Sequence, residues 1–107
     1  MAYKVEFSPG ILRQLKKLPN EIEDWVFDVA ERLASNPIPK NSKTVVNSPY
    51  MRIKPDRQID SLETKQYKAV QDYRLVYLLR EEAIEVIVVS VAHRREIYKK
   101  LSKIALS

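Results

Sequence analysis

The run Ile84-Glu85-Val86-Ile87-Val88-Val89-Ser90-Val91 constrains this chain more than any other stretch. Side chains along a strand alternate between two faces, and here both parities are apolar: Ile84, Val86 and Val88 on one, Ile87, Val89 and Val91 on the other. Such a strand has to be covered on both sides, so it is expected at the centre of a sheet. Just before it, Arg74-Leu75-Val76-Tyr77-Leu78-Leu79 is also rich in branched and aromatic residues, and the polar Arg80-Glu81-Glu82-Ala83 suits a short connection. The two runs read as a β-hairpin. Beyond it come His93, Arg94, Arg95 and Tyr98, polar groups that a rigid platform can hold at a surface.

The rest of the chain reads as support for that hairpin. Tyr3-Lys4-Val5-Glu6-Phe7 alternates as a half-buried strand does. Ser8-Pro9 offers an N-cap and a first-turn proline for a helix whose apolar face is Ile11, Leu12, Leu15 and Leu18. After Pro19, Asn20 with Glu23 has the spacing of a capping box, and Ile22, Trp25, Val26, Val29, Ala30 and Leu33 form the stripe of a second helix ended by Ser35-Asn36-Pro37. Both stripes are read as core, and Arg13, Lys16 and Lys17 as a solvated face.

Residues 37–66 hold four of the six prolines and show no long period, so they are expected to form a loop-rich connection, with Tyr50-Met51-Arg52-Ile53-Lys54 its best strand candidate. Tyr67-Lys68-Ala69-Val70 is read as a strand that turns at Gln71-Asp72 into the hairpin. At the other end, Ile97, Leu101 and Ile104 fall at helical spacing in a short terminal helix.

At 107 residues the chain makes one domain, 1–107, with a single modest core. No apolar run is long enough to span a membrane and no secretory signal precedes the domain, so a cytoplasmic location is expected. The absence of cysteine excludes thiolate metal sites, and the single His excludes paired-histidine chemistry. What remains is Arg, Lys, Tyr, carboxylates and His93. The formal charge of +5 arises wholly within residues 41–107, because residues 1–40 balance. That placement suits a phosphate-bearing partner, although a charge of this size also serves solubility alone.

The order strand, helix, helix, strand, strand, strand, helix, with DYRLVYLL and then VIVVSVAHRREIY, resembles the bacterial and archaeal toxins of the RelE/ParE superfamily. The specific part is Asp72-Tyr73-Arg74 opening one strand and His93-Arg94-Arg95-Glu96-Ile97-Tyr98 following the next, a pairing similar to that of the RelE branch. Gln71 stands where that branch usually has a turn glycine, and residues 44–66 are longer and richer in proline than its usual connection. The resemblance implies an α+β fold of order βααβββα, a small, mostly antiparallel sheet packed against an N-terminal helical hairpin with a short C-terminal helix. It implies a type II toxin: a ribosome-dependent endoribonuclease that cleaves mRNA and is blocked by a cognate antitoxin lying across the sheet or displacing the terminal helix. Ribosome, mRNA and antitoxin are then the expected partners, with no membrane and no cofactor. Two other readings are a ParE-like inhibitor of DNA gyrase and an inactive member that binds RNA or antitoxin.

Carried across residue by residue, the resemblance makes Arg74 the strand arginine, Arg94 the arginine after the last strand and Tyr98 the closing tyrosine. Lysines on the preceding strand contribute in some members, and Lys68 is the nearest candidate. Arginine suits the charge role because its fork donates two hydrogen bonds to phosphate oxygens and stays protonated. His93 is a candidate acid or base, or a hydrogen-bonded residue at a strand end. Arg95, Lys99, Lys54 and Arg57 are candidate RNA contacts.

Overall fold

The computed structural model describes residues 2–97 and 99. Five strands form one sheet in the order β1-β5-β4-β3-β2: β1 (Lys4–Phe7), β2 (Ser42–Thr44), β3 (Tyr50–Ile53), β4 (Tyr73–Arg80) and β5 (Glu85–His93). The β1–β5 pairing is parallel and the other three are antiparallel. The doubly apolar run therefore has a strand on each edge, the expected central position, while Ile87 and Val89 on one face are only half-buried. Between β4 and β5 the chain makes a single 3₁₀ turn at Glu81–Ala83 and then puts Ile84 at φ 52°.

Three helices join the strands: α1 (Ile11–Lys16), α2 (Asn20–Ser35) and α3 (Thr64–Val70), and residues 94–97 begin another. The α+β architecture is the expected one, but two helix starts differ from expectation. The cap position of α1 is Gly10 at φ 90°, a left-handed turn that only glycine adopts without strain, so Ser8 and Pro9 lie before the helix. Pro19 occupies the cap position of α2, and no side chain caps that helix, so Asn20 is already its first residue.

A third difference bears on the site. Tyr67–Val70 is not a strand but the second half of α3. A reciprocal capping box starts this helix, the Glu63 carboxylate accepting from the backbone N–H at Gln66 and the Gln66 side chain accepting from that of Glu63 at 2.9 Å. One buried side chain, Val70, then fixes it to the core. The partner of β4 in the sheet is β3 instead, with Arg52 opposite Val76 and Ile53 opposite Leu75.

The core lies between the helices and one face of the sheet. Ile11 and Leu15 of α1 and the six stripe residues of α2 are buried, and Met51, Ile53, Leu75, Tyr77, Val86, Val88 and Val91 meet them from the strands. Each such side chain contributes about 1.5–3 kcal/mol on burial. Tyr77 spans the core and donates its hydroxyl to the Pro37 carbonyl at 2.6 Å; burial pushes that phenol above its usual range, partly offset by the Ser42 hydroxyl. The pairing of β4 with β5 slips by one residue, Val76 facing Ser90 while Tyr77 faces Val88. This bulge leaves Val89 unpaired and switches the phase of β5, so Val86, Val88 and Val91 all reach the helix side. Ala92 and Val89 pack on the other side with Val76, Tyr50, Val45 and Ile97.

The long connection is held by a buried carboxylate. Asp60 accepts hydrogen bonds from Trp25 Nε1 at 3.1 Å, from Arg32 at 2.6 Å and from the backbone N–H of Asp56 at 2.8 Å. Arg32 also donates to the Ile59 carbonyl at 2.6 Å. These bonds pin residues 56–60 to α2 and set the course of the chain that leads out of β3.

Candidate functional site

Strand alternation builds the site. Met51, Ile53, Leu75 and Tyr77 point into the helix-side core, so Arg52, Val76 and Arg74 lie on the opposite face. Lys43 of β2 pairs with Arg52 and shares that face. The result is a groove of about 400 Å³ lined by Lys40, Asn41, Lys43, Arg52, Lys54, Pro55, Asp56 and Arg74. Five of those side chains are cationic and one is a carboxylate. Asp56 Oδ1 is engaged in its own turn, accepting from the N–H groups of Gln58 and Ile59 at 2.9 Å each. A concave surface of this kind concentrates positive potential and attracts phosphate.

Arg74 is the most enclosed of these cations, only 6% exposed. One terminal nitrogen donates to the carbonyls of Gln71 at 2.9 Å and Tyr73 at 2.8 Å, so the guanidinium is oriented by the backbone at the end of α3. Lys54 follows β3, and its backbone is clamped to Asn41: the Lys54 N–H donates to the Asn41 carbonyl at 3.2 Å, and the Asn41 amide donates to the Lys54 carbonyl at 2.7 Å. Lys54 is thus the lysine leaving the strand that precedes β4 in the sheet. Lys68, expected on that strand, is instead exposed on α3, and the cations at the strand are Arg52 and, just past its end, Lys54.

Arg94 stands at the same end of the sheet, two residues past Ala92, the partner of Arg74. Its N–H donates to the Asp72 carbonyl at 2.6 Å, and its side chain, half exposed, lies 3.9 Å from the Asp72 carboxylate. A pair this long and exposed holds the side chain weakly. Arg94 is therefore placed by its backbone and remains accessible.

His93 is on the other side of the sheet. It pairs with Tyr73, a helix-side residue, and their rings meet edge to face at 5.9 Å. Its Nδ1 accepts the Arg95 N–H at 3.3 Å. The phase switch at Val89 produces this placement: it sends Ala92 to the groove side and His93 to the helix side. Arg95 and Lys99 are exposed, and Tyr98 lies outside the described residues.

Arg57 lines a neighbouring, shallower groove of about 350 Å³ with Lys54, Pro55, Asp56, Gln58 and Tyr67, and donates to Thr64 Oγ1 at 2.9 Å. Lys40 and Lys43 are groove residues that pattern reading missed, because they flank and occupy a three-residue edge strand too short to show a period. Among the described residues, no group of three His, Asp or Glu side chains is placed to hold a metal ion. No described helix is long and apolar enough to cross a membrane.

Comparison with known proteins places this geometry in a family. Residues 5–98 match the model of the ParE toxin of the type II toxin-antitoxin system, parDE. Among solved structures, a double arginine-to-alanine variant of the Escherichia coli toxin RelE in the free state is similar at TM-score 0.68 and 23% identity, over 96% of this chain and 97% of that one. The RelBE2 toxin-antitoxin complex of Mycobacterium tuberculosis is similar at TM-score 0.65 and 23% identity, over 87% and 99%. The archaeal RelE-RelB complex of Pyrococcus horikoshii is similar at TM-score 0.65 and 15% identity, over 88% and 97%. At these identities the structural likeness concerns the fold. No curated protein sequence matches the chain.

Proposed function

This chain belongs to the RelE/ParE superfamily of type II toxin-antitoxin toxins, and from that premise we propose that it is an endoribonuclease of the RelE kind, cleaving mRNA on the ribosome. The observation that carries the reading is the enclosed, backbone-oriented Arg74 on the wall of a groove lined with four further cations. A phosphodiester laid in that groove meets Arg74 and Lys54 from the sheet and Arg94 from its end. The ribose 2′-oxygen attacks the adjacent phosphorus, the 2′-O–P bond forms and the bond to the 5′-oxygen breaks. A proton leaves the 2′-hydroxyl and one is delivered to the 5′-oxygen, giving a 2′,3′-cyclic phosphate and a 5′-hydroxyl. The arginines stabilise the charge that develops on the phosphoryl oxygens, each such donor supplying a factor of about 10²–10³. Tyr98, four residues beyond Arg94, is the proposed proton-transfer group. Its ordinary pKa near 10 requires neighbouring cations to lower it.

A cognate antitoxin would silence this chemistry by covering the groove with acidic side chains. The test is induced expression followed by primer extension on a translated mRNA. Growth arrest with codon-phased cuts that disappear in Arg94→Ala is the expected result. A second reading, inhibition of DNA gyrase, is favoured by one observation, that the matching family model is the ParE one. Arrest with intact mRNA and broken DNA would decide for it. Absence of arrest would leave the third, an inactive member that binds RNA or antitoxin.

A further inference from the structure

The segment between β3 and β4 does more than connect them, because it adds a second cavity to the basic groove. The two grooves are adjacent, sharing Lys54, Pro55 and Asp56 in their walls, and the second adds Arg57, Gln58 and Tyr67. The character of the lining changes along the way. The first groove presents mainly cations; the second presents an aromatic ring, a planar guanidinium and a side-chain amide. A tyrosine ring and an arginine plane are the surfaces on which unstacked bases lie, and an amide offers one donor and one acceptor side to a base edge.

These groups are also held in place relative to Arg74. The helix bearing Tyr67 ends at Gln71, whose carbonyl accepts from the Arg74 guanidinium at 2.9 Å. Arg57 is tied to Thr64, the first residue of that helix, at 2.9 Å. Residues 56–60 are pinned to α2 through Asp60, Trp25 and Arg32. A ring, a guanidinium and a phosphate-holding arginine thus sit on one rigid frame, which is what a binding site needs if it is to read a ligand without first ordering itself.

We propose that Tyr67, Gln58 and Arg57 form a nucleobase subsite that receives the base of an RNA nucleotide next to the phosphate held by Arg74 and Lys54. The proposal rests on the RNA-binding part of the reading above, and it adds that the protein itself, not only the ribosome, selects among bases. Stacking on Tyr67 gives affinity for any base, and the Gln58 amide discriminates between base edges.

The experiment measures binding of short RNA to the purified full chain at one fixed salt concentration. The probes are a tetraribonucleotide blocked by 2′-O-methyl groups and the same backbone with one base removed. The native chain is expected to bind the complete probe roughly ten-fold more tightly than the abasic one, the scale that base–aromatic stacking supports. Tyr67→Phe keeps that preference and Tyr67→Ala abolishes it, with circular dichroism confirming that the helix persists. Gln58→Ala, an exposed change that spares the fold, keeps the stacking preference and flattens discrimination among the four bases at that position. Equal affinity of the native chain for both probes, a preference that survives Tyr67→Ala, or no RNA binding would each overturn the subsite. If the preference appears as described but translated mRNA stays intact, the nuclease reading falls and the subsite stands.

Discussion

Replacing Asp60 by alanine tests whether one buried carboxylate holds the segment after β3 that helps line both grooves. The Asp60 side chain is 2% exposed and accepts from Trp25, Arg32 and the Asp56 backbone. In Asp60→Ala the indole N–H of Trp25, itself 2% exposed, loses its acceptor, which costs about 1–3 kcal/mol. The part-buried N–H of Asp56 adds about 1 kcal/mol. The Arg32 pair is discounted, because that side chain is 39% exposed and keeps its bond to the Ile59 carbonyl. The loss is therefore about 2–4 kcal/mol, a large share of the roughly 5–15 kcal/mol typical of a domain. Urea unfolding followed by circular dichroism and by the fluorescence of Trp25, the only tryptophan, measures it. Asp60→Asn retains one acceptor and should lose about half as much. If the loop detaches locally, hydrogen exchange at Asp56, Ile59 and Leu62 will quicken while β5 stays protected. A loss below about 1 kcal/mol with unchanged exchange would refute the argument that Asp60 fixes this segment.

Two further predictions concern the frame. Tyr77 is favoured in its protonated form by burial, so its contribution to stability is complete below the ordinary phenol range and is lost as pH rises through its raised value. Absorbance titration should show one tyrosine ionising later than the rest, a component missing in Tyr77→Phe; simultaneous ionisation of all tyrosines would contradict this. Ile84 is a β-branched residue at φ 52° and is 37% exposed, so Ile84→Asn should stabilise the chain by about 1 kcal/mol in denaturant titration, whereas destabilisation would show that its apolar contacts outweigh the strain.

The central strand and its hairpin were legible because the run is apolar at both parities, although the bulge gathers Val86, Val88 and Val91 on the helix side and leaves Ile87 and Val89 half-buried; the helical hairpin was legible because six apolar residues of α2 repeat at helical spacing. The phase switch at Val89 was not legible, since it depends on which residue of β4 lies opposite, and it is this switch that removes His93 from the side of Arg74. Tyr67–Val70 is too short to separate a period of two from one of 3.6. The signal that could have found α3 was Glu63 three residues before Gln66, hidden because glutamate is not among the usual capping residues. Arg74 was legible by its place in a motif. Its neighbours Lys40, Lys43 and Arg52 became groove residues only when the edge strand folded beside β3.

In the proposed reaction Arg74 acts through its fork on phosphate. Arg74→Lys keeps the charge and most of the stem of an enclosed side chain but cannot donate two parallel hydrogen bonds. Primer extension on a translated mRNA, with equal amounts of toxin and a matched melting temperature, compares the two proteins. Codon-phased cuts are expected with the native chain, and a loss of about 10²-fold in their rate with Arg74→Lys. Cuts at undiminished rate in the variant would contradict that role of the fork.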